Sequence, residues 1–406
     1  MRPIIVVLAV PTLAVLVAIN TVYTKRTSNY IREGPGSYYN LIAVVPANTA
    51  LVVLEKSGGW LKVNLPGSKP GWLAGSSLSG AKPAEVVGIE NVWSSPKASK
   101  AGIVAAIRGF AERYGKTEPG SVESLLQLSR KTFTDREFAE FKRELDPYRP
   151  REGSRVKWEE IDLRDVVYDA GLPEQQIGAG IAARLVHKGV EDSPAVLAYL
   201  NMVCAVVAEQ SGLYDWDFTV MLLRDGKVNG FAVPGGYILL TRGAVGLCSN
   251  ESELAAIIAH EMAHIVRRHG LQEMTQRLAA IHADAAFAEL EEETGNITKD
   301  EEELGDLVEA THEKISAPKL ATYELEADLL AAILCANAGY DPFGLVHLIA
   351  RLAKLPRERP DIFDPMYMAP DVLADRQKVI RGFVERELGG VWRGAQLRER
   401  FARRFP

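Results

Sequence analysis

Between Asn250 and Gly270 the chain has few folds open to it. Asn250 and Glu253 make a capping-box pair three residues apart, and Leu254, Ile257, Ile258, Ile265 and Val266 then recur at helical spacing until Gly270, a residue suited to the position just past a helix end. The spacing predicts one long, mostly apolar helix. Within it stand His260, Glu261, Met262, Ala263 and His264. Residues i and i+4 share a helix face, so His260 and His264 can bind one metal ion while Glu261 sits about 100° round, at the edge of the open coordination position. A carboxylate there can take a proton from water that the metal activates. Two ordinary helix histidines are the alternative, which the surroundings must exclude.

Two histidines leave a catalytic zinc one protein ligand short, and a carboxylate from a second helix is one known completion. Glu324, Leu325, Glu326, Ala327 and Asp328 lie in an Ala/Leu-rich run from Thr322 to Ala338 that reads as a buried helix. Glu324 and Asp328 share a face and Glu326 points away. That geometry favours Glu324 as the third ligand and Asp328 as the acceptor that holds the other nitrogen of a ligating imidazole. A solvated acidic face is the competing explanation.

Upstream, Pro234, Gly235 and Gly236 form a turn that feeds the β-rich run Tyr237, Ile238, Leu239, Leu240 and Thr241. Such a strand either is purely structural or offers its edge to an extended substrate, which it would hold through backbone hydrogen bonds that ignore side-chain sequence.

His260 to His269 (HEMAHIVRRH), Tyr323 to Asp328 (YELEAD) and Val228 to Thr241 (VNGFAVPGGYILLT) together resemble the zinc metalloendopeptidase family that includes HtpX, BepA and the CAAX prenyl protease. Their order and spacing agree too, and the resemblance covers roughly residues 165–385. It implies that His260, His264 and Glu324 bind one zinc ion per chain, that Glu261 is the general base, and that the PGGY strand is a substrate edge, with Gly235, Gly236 and Tyr237 in contact with substrate. In one respect the chain departs from the family. After the ligand helix the family has a His-Pro pair closely followed by an arginine, whereas this sequence reads Met368, Ala369, Pro370 and then Arg376. The histidine is missing, so either a regulatory metal ligand is absent or stabilisation of the oxyanion falls to other donors, Arg376 or Tyr237.

The beginning of the sequence bears on location. An uncharged apolar run from Pro3 to Ile19, extendable through Tyr23, suits a signal segment or an uncleaved membrane anchor over 1–24. Lys25, Arg26 and Arg32 favour a cytoplasmic body by the positive-inside tendency. From Asn29 to Ser79 the chain reads as short strands with turns, a small barrel. Arg32 to Gly36 (REGPG), Gly58-Gly59-Trp60 with Val63, and Gly71-Trp72 resemble the bacterial SH3-like domain. That resemblance implies an extracytoplasmic docking module over 28–80 for cell-wall material or a peptide, with Trp60 and Trp72 in its core. It tips the expectation to a peptidase held on the periplasmic side of the cell membrane.

Residues 81–164 read as a connector containing helices at Ala101 to Tyr114 and Asp135 to Leu145. The segment 284–313 carries twelve acidic residues against Lys299 alone; joining the two ligand helices, it is either a lid over the cleft or a solvated acidic face. Arg393 to Arg404, within a basic tail at 386–406, reads as a solvated helix. Cys204, Cys248 and Cys335 are too far apart for a disulfide frame and read as buried thiols. His269, at the helix end, most simply serves the helix dipole. A net charge of −6 with no basic aromatic platform argues against nucleic-acid binding.

The expectation is therefore a multidomain chain: a small all-β SH3-like barrel, then a mainly α (α+β) gluzincin-type zinc metallopeptidase domain. Its expected function is membrane-tethered, zinc-dependent hydrolysis of protein or peptide substrates in quality control or processing. The alternative is a catalytically weak zinc-binding chaperone or docking protein acting through the barrel.

Overall fold

The computed structural model describes residues 21–82 apart from 26–28, 37–38, 40, 58 and 66–68; 133–157 apart from 152–153; 172–270 apart from 187–188 and 212–217; and 321–405 apart from 365–368 and 390–392. The apolar run 3–19, the helix expected at 101–114 and the acidic segment 284–313 lie outside the described residues. Among the described residues no helix is long and apolar enough to cross a membrane.

Seven short strands open the fold: β1 (Thr21–Thr24), β2 (Asn29–Arg32), β3 (Leu41–Val45), β4 (Ala50–Ser57), β5 (Trp60–Asn64), β6 (Gly71–Ala74) and β7 (Leu78–Ser79). They join in one antiparallel sheet in the order β3-β2-β6-β5-β4-β1-β7. Alternation puts Ile31, Leu51, Val63, Leu73 and Leu78 into a single interior, while Trp60 and Trp72 pack with Ala74. Both tryptophans are core residues, as expected. The strand β1 adds to the sheet before the expected module. Thr21–Thr24, read as an extension of the apolar run, pairs with Ala50–Val52 and with β7, so the sheet begins before residue 28. The β-branched Thr21, Val22 and Thr24 suit a pleated surface better than a helix.

The second unit assembles around two central helices. In chain order its elements are α1 (Asp135–Arg143), α2 (Leu172–Val186), α3 (Pro194–Ala208), β8 (Thr219–Leu223), β9 (Gly230–Val233), β10 (Tyr237–Thr241), α4 (Arg242–Gly246), α5 (Glu251–Val266), α6 (Ala321–Ala338), α7 (Gly344–Leu352), α8 (Leu355–Glu358), α9 (Pro370–Glu387) and α10 (Arg398–Ala402). Helix α1 opens on Thr134, whose hydroxyl accepts from the Glu137 N–H while the Glu137 carboxylate accepts from the Thr134 N–H. Helix α5 is buried along its whole length and α6 over most of its own, which is why both read as apolar nearly all round. They pack against each other, with α3, α7 and α9 around them.

The small sheet runs β8-β10-β9, with β8 parallel and β9 antiparallel to the central β10. It is covered on both faces. Val220, Leu222, Ile238 and Leu240 face the main core, and Met221, Leu223 and Leu239 face α2. Asn201 on α3 ties the sheet down, its side chain accepting from the Val220 N–H and donating to the Val220 carbonyl.

The segment around α10 corrects a further expectation. It is not a solvated tail: Arg400 and Phe401 are buried. The Arg400 guanidinium lies over the Phe141 ring and pairs with Glu251, a fully buried carboxylate at the start of α5 that also accepts from the Tyr199 and Tyr340 hydroxyls. A buried carboxylate with these donors has its charge and lone pairs answered.

Candidate metal centre

Helix α5 starts where the sequence predicts and stops early. The Asn250 side chain accepts from the Glu253 N–H, and the Glu253 carboxylate reaches past Asn250 to the Ser249 N–H. The helix ends at Val266, because Arg268 takes a left-handed backbone with φ +52°. The expected stop at Gly270 is thus displaced, and an arginine occupies the position that usually favours glycine.

Three side chains converge from α5 and α6. His260 Nε2 and His264 Nε2 are 3.1 Å apart. Glu324 brings Oε2 to 3.4 Å from the first and Oε1 to 3.1 Å from the second. All three residues are buried. A tetrahedral ion with ligand bonds of about 2.0–2.1 Å has ligand atoms about 3.3 Å apart, so the triangle suits a zinc-sized cation. The donor chemistry agrees. If both rings carry their proton on Nδ1, two Nε2 lone pairs face each other across 3.1 Å, a repulsion that a cation between them relieves.

The carboxylates behind the rings raise the same demand. Asp328, fully buried, lies 2.9 Å from His260 Nδ1, out of line for a full hydrogen bond, so the attraction is chiefly electrostatic. Burial works to keep His260 neutral, but the charge of Glu324 and the contact with Asp328 outweigh it and hold the ring up to about 9. Arg376 on α9 donates from Nε and Nη2 to Asp328, both at 2.8 Å, and its Nη1 is 2.9 Å from Glu324 Oε2. Two carboxylates against one guanidinium leave a negative pocket that a dication offsets.

Arg376 therefore stands behind the ligands, where its guanidinium grips both acidic residues. The expectation that it faces the oxyanion is corrected. Ala369 precedes α9 with Pro370 as its first residue, and Met368 lies outside the described residues.

The expectation that His269 serves the helix dipole is corrected. Its Nδ1 lies 2.9 Å from His264 Nδ1, its Nε2 lies 3.1 Å from Glu326 Oε2, and its ring stacks on Tyr323. Glu326 points away from the three converging groups, as read, and pairs with both His269 and Arg267. Burial pushes His269 down to about 4, so the ring is neutral. The signal available was a third histidine five residues after His264, but only a helix broken at Arg268 brings it back.

Glu261 is buried and lies over β9: a Cβ added to Gly230 would stand 2.6 Å from its Oε1. Here the strand expectation also changes. Tyr237–Thr241 is the central strand, because β8 pairs with its far side, so it presents no edge. Tyr237 packs toward α2, and Gly235 and Gly236, at φ +81° and +94°, shape the turn. A Cβ on Gly178 of α2 would come within 1.7 Å of the Pro234 carbonyl oxygen, so that turn is packed from behind. The edge is β9. The Thr241 N–H bonds the Asn229 carbonyl, which sets the antiparallel phase, so the main-chain groups of Gly230 and Ala232 point away from β10 beside Glu261.

Residues 194–381 match peptidase family M48, and residues 27–79 match the bacterial SH3 domain. The chain is 29% identical over 147 residues to mitochondrial metalloendopeptidase OMA1 of Schizosaccharomyces pombe, covering 36% of this chain and 40% of that protein. It is 31% identical over 206 residues to the putative beta-barrel assembly-enhancing protease of Vibrio cholerae, covering 48% and 41%. A shorter match of 78 residues, 28% identical, joins it to the beta-barrel assembly-enhancing protease of Escherichia coli, covering 19% and 16%. The chain spans about two fifths of the length of the first two relatives.

Proposed function

We propose, for a chain that belongs to peptidase family M48 through residues 194–381 and carries a bacterial SH3 domain at 27–79, that it hydrolyses peptide bonds of protein substrates with one zinc ion. The observation that carries this reading is the triangle of His260, His264 and Glu324, 3.1–3.4 Å on a side, with Glu261 on the same helix. The metallopeptidase relatives support it.

When bound, zinc polarises water and the scissile carbonyl. Glu261 takes the proton released as the water oxygen attacks the carbonyl carbon, and gives it to the amine that leaves as the C–N bond breaks. Asp328 and Arg376 hold His260 and Glu324 in place. An extended substrate pairs along β9, using the outward main-chain groups of Ala232 and the outward carbonyl of Gly230, whose N–H is held by the Asn229 side chain, which places its backbone beside Glu261 whatever its side chains.

Cleavage of an unfolded protein such as reduced casein tests this reading. Glu261→Gln should slow turnover about 10²–10⁴-fold while keeping zinc, and a chelator should abolish it. Equal turnover by the wild type and Glu261→Gln would sink it in favour of a docking protein that works through residues 27–79.

We further infer that residues 3–19 anchor the chain and that the peptidase acts outside the cytoplasm, with cell-wall material or a peptide on the SH3-like unit and a role in protein quality control or processing. The support is the apolar run and the SH3-like module. Protection of the peptidase from protease added to cells with a permeabilised outer envelope would overturn that placement.

A further inference from the structure

His260 and His264 are not supported alike. Behind His260 stands a carboxylate, Asp328, at 2.9 Å. Behind His264 stands a third imidazole, and only beyond it a carboxylate. We propose that His269 is a positioning residue for the metal: it accepts the Nδ1 proton of His264 and passes its own Nε2 proton's hydrogen bond to Glu326, so the second ligand is oriented through a relay.

The tautomers leave little choice. A cation on Nε2 obliges His264 to carry its proton on Nδ1, and that proton faces His269 Nδ1 at 2.9 Å. His269 must then accept on Nδ1 and keep its proton on Nε2, which meets Glu326 Oε2 at 3.1 Å. Three further contacts fix the relay. The Tyr323 ring stacks on His269 with centroids 4.3 Å apart and planes within 11°. Arg267, the residue just past α5, pairs with the other oxygen of Glu326. Arg268 turns the backbone left-handed, which tucks His269 beneath His264 instead of one turn further along the helix. An arginine at positive φ is strained relative to glycine, a local strain that the buried contacts of His269 offset. Helix α6 thus works on two sides. Glu324 offers itself to the metal, while Tyr323 and Glu326, on either side of it, fix the ring that fixes the other ligand.

The inference rests on the zinc reading of His260, His264 and Glu324, and the two can fail separately. Purified apo full-length chain is titrated with zinc against a chromophoric chelator, and the cobalt-loaded protein is examined by visible absorption. A wild type that binds no stoichiometric metal would defeat the zinc reading itself. With a wild type that binds one zinc, His269→Phe keeps the stack on Tyr323 but loses the acceptor, and should raise the zinc Kd about 10–100-fold with a shifted cobalt band. His269→Gln, which restores an acceptor, should recover part of the loss. Wild-type affinity and an unshifted band in His269→Phe would overturn the proposal. Should that variant fold poorly, Glu326→Leu, which removes the acceptor, carries the decision: the Glu326 side chain is partly exposed, a severalfold loss of zinc affinity supports the relay, and an unchanged Kd and cobalt spectrum overturns it.

Discussion

Asp328 and Arg376, 48 residues apart on two helices, are joined by two parallel hydrogen bonds of 2.8 Å in a site where the carboxylate is fully buried. This fork aligns α9 with the ligand helix α6, and through the third nitrogen it also touches Glu324. An arginine can make this planar, two-pronged contact and a lysine cannot.

Arg376→Met leaves Asp328 and Glu324 without their guanidinium in a low-dielectric pocket. Breaking a buried ion pair from one side costs about 3–5 kcal/mol, so thermal denaturation of the apo chain should show a clear fall in Tm. Arg376→Lys should recover only part of it.

Gly230→Ala tests the closeness of β9 to Glu261. The added methyl would stand 2.6 Å from the carboxylate oxygen, so the carboxylate must swing aside. A misplacement of about 1 Å costs on the order of 10²-fold in turnover. Zinc affinity, which depends on other residues, should stay at the wild-type value. Full activity in this variant would contradict the assignment of Glu261 as base.

Arg400→Met should destabilise the peptidase unit by about 3–5 kcal/mol, since Glu251 loses its cation inside the core. Urea denaturation followed by far-ultraviolet circular dichroism measures this. A loss under 1 kcal/mol would return Arg400 to the role of surface charge.

Cys204, Cys248 and Cys335 are free and buried, and burial pushes all three thiols well up; Glu253 adds to the effect on Cys248 and Asp341 to that on Cys335. A raised thiol has little thiolate at neutral pH. Iodoacetamide at pH 7.5 should leave the native chain unlabelled and modify the three cysteines once urea unfolds it, as mass spectrometry would register.

What could be read in advance followed the range of the interaction that encodes it. The α5 motif and the face shared by Glu324 and Asp328 are patterns within one helix, so spacing alone exposed them. The strand error arose because Tyr237–Thr241 was judged with its local partner only, whereas β8 pairs with it from across an intervening strand. His269 escaped because its position depends on one residue, Arg268, leaving helical geometry. Arg400 looked solvated among its arginine neighbours, since its counter-charge is a carboxylate in a distant helix.

Translation delivers Glu251 149 residues before Arg400. At roughly 5–20 residues per second, the carboxylate at the head of the histidine-bearing helix waits about 7–30 s for its cation. Through that interval Glu251 has no cation inside the core, so the helix it opens reaches its final packing only after synthesis has passed residue 400.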